Sequence, residues 1–323
     1  MTEGSPMTRS VTALASIVAL ACSTQLFACS TAPGLEEPAS ETASKSEAIL
    51  NGSPVDGNKY AAVGALVYYL PEVGVLDVFC SGTLVAPRAI VTARHCTPDI
   101  DLALSSGLVP AIAFGADVFN PTQVVPITDY VAAPAAPGKE KGLLMDGGRD
   151  VAVAHLSTAP TGIKPIKLGE YKDSMLGSKF QIVGFGRYNF EGFYGQKFSG
   201  VATARATQGF WYRLLFNNDF DAFRSWYFSD SSMAQPSEAE AKEWWKSFKL
   251  EKNYELLAGG LPGEAVACYG DSGGPLLRGS HGCDMAIYGV SFAVEGTFST
   301  LCGLGGGYLV FNRKMLDFIH DAI

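Results

Sequence analysis

From Ile49 onward the chain consists of short apolar runs punctuated by Gly, Pro and Asp, a pattern that restricts the fold sharply. "VGALVYYL", "VFCSGTLVA", "AIVTARHC", "DVAVAHL", "FQIVGFG", "AIYGVSFAV" and "GGYLVFN" are rich in β-branched and aromatic residues. Such side chains suit a pleated, half-buried surface. No regular alternation of strand and helix separates them, so a doubly wound parallel sheet is disfavoured. An all-β domain, barrel or sandwich, is expected. The 323 residues, 47% hydrophobic, suffice for one large β-rich domain or two packed half-domains. Two stretches depart from this pattern. Residues 236–257 are rich in helix formers, with Trp244, Phe248 and Leu250 predicted to share one apolar side. Residues 312–323 predict a terminal helix capped by Asn312 and docked through Met315, Phe318 and Ile319.

The first 48 residues read differently. Arg9 precedes an apolar run from Val11 to Cys22, too short to span a bilayer but suited to the core of a signal peptide. "LFAC", ending at Cys29, resembles a bacterial lipobox; "LAC", ending at Cys22, competes with it, as does a plain signal-peptidase cut nearby. Residues 1–29 are therefore expected to be an export signal, with a lipid anchor at Cys29 as the alternative to secretion. Residues 30–48 are small, polar and acidic, as in a disordered linker or pro-segment. Their boundary with the apolar domain falls at Ala48/Ile49. Losing residues 1–48, with five acidic and two basic residues, would move the formal charge from −8 to −5. No basic run tracks phosphates, so nucleic acid is not an expected partner. Five cysteines lie in the domain: Cys80, Cys96, Cys268, Cys283 and Cys302. Four can pair and one is left over, a pattern suited to an oxidising compartment.

"CYGDSGGP" is too glycine-rich for ordinary core and carries Ser272. A serine hydroxyl is a poor nucleophile until a base takes its proton, and histidine is the usual base near neutral pH. Of four histidines, His155 lies in a strand pattern, His281 in a loop and His320 in the terminal helix. His95 ends a strand–turn–strand run flanked by Cys80 and Cys96. If those two pair, they staple that run and fix His95, worth about 3 kcal/mol in the chain-entropy account. "GDSGG" also matches the G-x-S-x-G elbow of α/β-hydrolases, but that fold needs its acid and histidine after the serine. Only 51 residues follow Ser272, without βα alternation. That rival fails.

"CSGTLVAPRAIVTARHC", "GRDVAVAHL" and "CYGDSGGPLL" together resemble the three catalytic blocks of the trypsin/chymotrypsin-like serine proteases, in that family's order. The resemblance runs over residues 49–323, with a poorly matching insertion at about 208–262. It implies two packed antiparallel six-stranded β-barrels with a C-terminal helix. It implies His95 as general base, Asp150 as its orienting carboxylate (Asp146 being the nearby competitor) and Ser272 as nucleophile, acting on protein or peptide substrates without metal or cofactor. Arg94 departs from the small residue usual before the histidine. The amides of Gly270 and Ser272 would form the oxyanion hole. Asp271 would not be the triad acid; cleavage at Ala48–Ile49, by another protease or by the enzyme itself, would give Ile49 an α-ammonium to pair with it.

The same resemblance puts Val266 at the base of the specificity pocket, where an aspartate would select Arg or Lys. Ser291, Phe292 and Ala293 form one wall and Gly305 to Gly307, centred on Gly306, the other. With a methyl at Ala293 the expected pocket is apolar and shallow, suited to small or medium apolar residues. Cys268 would pair with Cys302, although Cys283–Cys302 is an alternative pairing. The expected function is that of an exported serine endopeptidase made as a zymogen; a catalytically silent, protein-binding lipoprotein of the same fold is the alternative.

Overall fold

A computed structural model describes residues 48–56, 58–136, 149–187, 194–229, 237–280, 284–297 and 300–323. The expected export signal with Cys22 and Cys29, the segment 30–47, Asp146, His281 and Cys283 lie outside these. No helix among the described residues is long and apolar enough to cross a membrane. Six strands close the first barrel, in the order Val63–Leu70, Gly74–Ala86, Ala89–Thr92, Ala152–Leu156, Gln123–Ala132 and Val109–Phe114, the last returning to the first. Every pairing is antiparallel, with Leu66 opposite Ile112 and Leu84 opposite Ile90.

The strand period of two sorts side chains into two sets. Leu66, Leu84, Ile90 and Ile112 pack with Ile100 of the helix Thr97–Ser105 in one cluster. The alternating residues Val63, Ala65, Val67, Val91 and Ala111 join a second cluster. That cluster continues into Val183, Phe185, Leu277, Ile287 and Val290 of the following half, so apolar burial binds the halves together.

The second half closes in the same way. Lys179–Gly184 pairs with Phe198–Ala206, which continues through Glu255–Ala258, Thr300–Val310, Ala286–Thr297 and Pro275–Arg278 back to Lys179–Gly184. The domain thus has two six-stranded antiparallel rings, the chymotrypsin-like architecture. Asn312 caps the terminal helix Arg313–Asp321 by accepting from the Met315 amide at 3.0 Å, and Met315, Leu316 and Ile319 are buried in the shared cluster. A second tie holds its end: the His155 ring donates from Nε2 to the Ala322 carbonyl at 2.7 Å while Nδ1 meets Asp129.

The short helix expected within 236–257, with Trp244, Phe248 and Leu250 on one side, ends before two of those residues. It spans Glu238–Trp244, opened by a reciprocal capping box between Ser237 and Glu240. Beyond it Phe248 takes a φ of 47°, Lys249–Leu250 pairs with Gly209–Phe210, and Asn253 turns left-handed at 72°. Leu250 is buried as a strand residue and not on a helix face, because sheet pairing overrides helix propensity there. Glu255–Ala258, within the stretch expected as an insertion at about 208–262, belongs to the barrel. Helices Trp211–Leu215 and Phe220–Tyr227, which the sequence pattern did not signal, lie in the same stretch. Phe223, fully buried, touches the rings of Tyr212, Phe216, Phe220, Trp226, Tyr227 and Trp245.

Candidate active site

His95 lies in a single 3-10 turn, Arg94–Cys96, immediately after the strand Ala89–Thr92. The turn is fixed from behind by the Cys80–Cys96 disulfide and from the side by Asp150. Asp150 grips His95 at two points: Oδ1 accepts the His95 backbone N–H at 2.8 Å, and Oδ2 lies 2.7 Å from Nδ1. A carboxylate partner makes Nδ1 the protonated nitrogen, so the Nε2 lone pair is free to take a proton. Asp150 is itself buried, 5% exposed, at the entrance to the strand Ala152–Leu156. Arg149 before it is left-handed at φ 88°, an uncommon conformation for a residue with a side chain, and sets the angle at which Asp150 enters.

Ser272 sits in the tight turn after Val266–Ala267, suspended from the first barrel. Its carbonyl accepts the Ser81 amide at 2.7 Å and lies 3.8 Å from Cys96 Sγ, one residue from His95. Ser81 Oγ donates to the Gly270 carbonyl at 3.3 Å, and Thr92 Oγ1 donates to the Ser81 carbonyl at 2.8 Å. From the other side Ser291 accepts the Gly273 amide and donates its own to Gly274, at 2.7 and 2.8 Å. Ser81, Thr92 and the main chain of Ser291 therefore position the turn. Glycine is required at 273: φ is 79°, and a Cβ there would lie 2.1 Å from Thr92 Oγ1. Among the described residues, the amides of Gly270 and Ser272 donate to no backbone carbonyl, and no hydrogen bond joins the Ser272 hydroxyl to His95. Catalytic hydrogen bonds in ligand-free enzymes are often long.

Asp271 points away from this cleft into the second barrel and is 1% exposed. Oδ1 accepts from the Gly186 amide at 2.8 Å and Oδ2 from the Cys268 amide at 2.7 Å, with a further backbone bond from Phe185. In the uncut chain the Ile49 nitrogen is an amide, so these backbone N–H groups, not an ammonium, hold Asp271. They only partly offset desolvation, which pushes its carboxyl up to about 7. Ile49 is nonetheless close by: it is buried, and the strand Ile49–Leu50 pairs with Val266–Ala267, Ile49 opposite Ala267. The cradle tolerates no extra atom. A Cβ on Gly184 would lie 1.9 Å from Asp271 Oδ1, and the fixed carboxylate cannot swing aside. Gly184→Ala is expected to cost about 3 kcal/mol or more by overpacking. Urea denaturation measures this; an unchanged midpoint would contradict the cradle.

Of the residues expected to form the pocket, Val266 is buried against Leu50 and the Cys268–Cys302 disulfide. Phe292 is buried with its ring against Gly307, where a Cβ would meet it at 2.9 Å, and Ala293 pairs with Gly307. Gly306 faces Val294 across the same hairpin. The residue missed by sequence is Glu295, two positions beyond Ala293. It accepts a hydrogen bond from Trp211 Nε1 at 3.1 Å and one from Tyr212, and desolvation raises its carboxyl to about 7. Trp226 Nε1 also donates to the Gly296 carbonyl at 3.3 Å, so the helices Trp211–Leu215 and Phe220–Tyr227 dock directly on the strand Ala286–Thr297, which carries Phe292 and Ala293. No local pattern links Trp211 to Glu295, 84 positions away, or Trp226 to Gly296, 70 positions away. Cys80, His95 and Cys96 lie close enough together to hold a metal, but both sulfurs are spent in the disulfide and Nδ1 on Asp150.

The family model described as Trypsin matches residues 50–208. Among solved structures, the chain is similar to neuropsin, a serine protease expressed in the limbic system of mouse brain. The two share 17% identity over 84% of this chain and 98% of that one, with a TM-score of 0.52. No curated protein sequence matches. With that match over residues 50–208 and two six-stranded rings, the chain resembles the trypsin/chymotrypsin-like serine proteases in sequence and shares their fold.

Proposed function

We propose that the protein is an exported serine endopeptidase acting through His95, Asp150 and Ser272. The observation that carries this reading is the two-point grip of Asp150 on His95, beside a serine turn hung from Ser81. Ser272 Oγ attacks the scissile carbonyl carbon as His95 Nε2 takes its proton, and Asp150 stabilises the imidazolium. The oxyanion is received by the Gly270 and Ser272 amides, each worth about 3 kcal/mol in the transition state. His95 then passes the proton to the leaving amine, and water, activated by the same ring, hydrolyses the acyl ester. A fluorophosphonate probe tests this: it should label the cut wild type at Ser272 and leave Ser272→Ala unlabelled. The rival is a silent protein-binding member of the same fold, and no labelling of the cut wild type would establish that rival.

The finer reading concerns substrate and maturation. Val266 at the pocket base and the Ala293 methyl on its wall support a preference for Ala, Val or Leu before the cut. Discrimination should be graded, about 1–3 kcal/mol per methylene. Peptides differing only at that position measure it; fastest cleavage after Arg or Lys would refute the pocket assignment. "KSEA" before Ile49 fits that same preference, which supports self-processing at Ala48–Ile49. The two disulfides and the apolar run 11–22 support export, and the mass of the mature N-terminus distinguishes an acylated Cys29 from a free Ile49.

A further inference from the structure

A cavity of about 940 Å³ opens between the two barrels, and none of His95, Asp150 and Ser272 lines it. Its walls come from the turn leaving Val109–Phe114, the crossover 161–167 and the segment just before Phe198. Gln123 fixes the rim, its side chain exchanging two 2.7 Å hydrogen bonds with the backbone of Thr161. Within the lining sits Lys197, only 2% exposed. Its main chain is pinned on both sides, the amide donating to Ala116 and the carbonyl accepting from Val55, at 2.8 and 2.9 Å.

Among the described residues, the Lys197 ammonium has one hydrogen-bond acceptor, the Tyr60 carbonyl at 3.1 Å, and a Phe185 ring 5.4 Å away. No carboxylate among them pairs with it. An ammonium carries three donors, and burying one so sparsely bonded is costly. Burial alone accordingly pulls Lys197 down to about 8. The other charged groups lining the cavity are the exposed Lys164 and Lys167 and the half-buried Asp117, whose Oδ1 is engaged by the Phe119 amide at 2.9 Å. The balance is positive. The rest of the lining is largely apolar, including Tyr60, Phe114, Ile166 and Met285.

We propose that this cavity is a second ligand site, which binds a small organic carboxylate with an apolar body, its carboxylate on Lys197. The carboxylate supplies the acceptors the ammonium lacks, the apolar body covers the walls, and Lys164 and Lys167 draw the anion in from solvent. The site stands independently of the catalytic reading. A bound anion raises the Lys197 pKa, so binding is strongest below about 8 and weakens as pH rises through the free amine's value.

The test is calorimetric titration of the full Ser272→Ala chain with 4-phenylbutyrate, alongside its uncharged amide. The carboxylate should bind at least about tenfold more tightly than the amide, and Lys197→Met should remove that difference. Equal affinity for acid and amide, no binding by either, or an undiminished preference in Lys197→Met would overturn the proposal. Should Lys197→Met fail to fold, the same protein without that change is acetylated with and without saturating 4-phenylbutyrate and mapped by mass spectrometry. Protection of Lys197 by about tenfold or more is expected; labelling unaffected by the ligand would overturn the site.

Discussion

Ser272→Ala and His95→Ala are each expected to lower kcat on the order of 10⁶-fold, and the double variant by hardly more. The non-additivity follows from the chemistry: without a base the hydroxyl is unreactive, and without the hydroxyl the base has no proton to take. Asp150→Asn should cost less, about 10⁴-fold, because the ring stays in place but loses the carboxylate that fixes its tautomer. That variant keeps a hydrogen-bonding group for the His95 amide, so the turn Arg94–Cys96 should survive and denaturation should show a small effect. Kinetics on the processed enzyme with a peptide substrate, paired with denaturation curves, separate loss of chemistry from loss of fold. Retained activity in Ser272→Ala or His95→Ala would end the assignment, and independent losses multiplying in the double variant would mean that the two residues do not act as a unit.

What was legible in the sequence is what is encoded locally. His95, Asp150 and Ser272 each stand in a short motif whose neighbours explain it: a cysteine after the histidine, a strand after the aspartate, glycines around the serine. Strands rich in branched residues, such as Val63–Leu70 and Ala286–Thr297, were equally visible. The strands without that signature were not read. Val109–Phe114 and Gln123–Ala132 each contain a proline, and Phe198–Ala206 is mostly small residues, yet barrel closure recruits all three. Ser81 and Thr92 were silent for a different reason. They act through hydrogen bonds to main-chain atoms, and Ser81 reaches Gly270 across 189 positions, a partnership no local pattern records. The placing of Phe248 and Leu250 on a helix is a third kind of miss, because Lys249–Leu250 is claimed by pairing with Gly209–Phe210 once the helix ends at Trp244.

Cutting the chain between Ala48 and Ile49 is expected to reverse how its stability responds to acid. In the uncut chain Asp271 is buried with backbone N–H partners alone, and its carboxyl rises from 3.8 to about 7. A raised pKa contributes stability that is fully present below the unfolded value and is lost as pH climbs through the folded one. The uncut protein should therefore lose about 3 kcal/mol between pH 4 and 7 from this group. In the cut chain Ile49 carries an α-ammonium, next to the Ala267–Cys268 backbone from which Asp271 already accepts a bond. A neighbouring cation lowers the Asp271 pKa, so its contribution then appears above the unfolded value and fades as acid is added. The ammonium has its own limit: its raised pKa means the pair is lost as pH rises through that value, above a reference near ~8. Activity of the cut enzyme should fall reversibly in alkali for this reason. Urea denaturation of two Ser272→Ala proteins, one uncut and one beginning at Ile49, at pH 4.5 and 7 checks the acid limb. If both lose stability in parallel as pH rises, no ion pair forms and Asp271 is simply a buried acid. Opposite slopes would mean that the bond before Ile49 sets the charge state under the oxyanion turn, and with it whether Gly270 and Ser272 are held ready for a substrate.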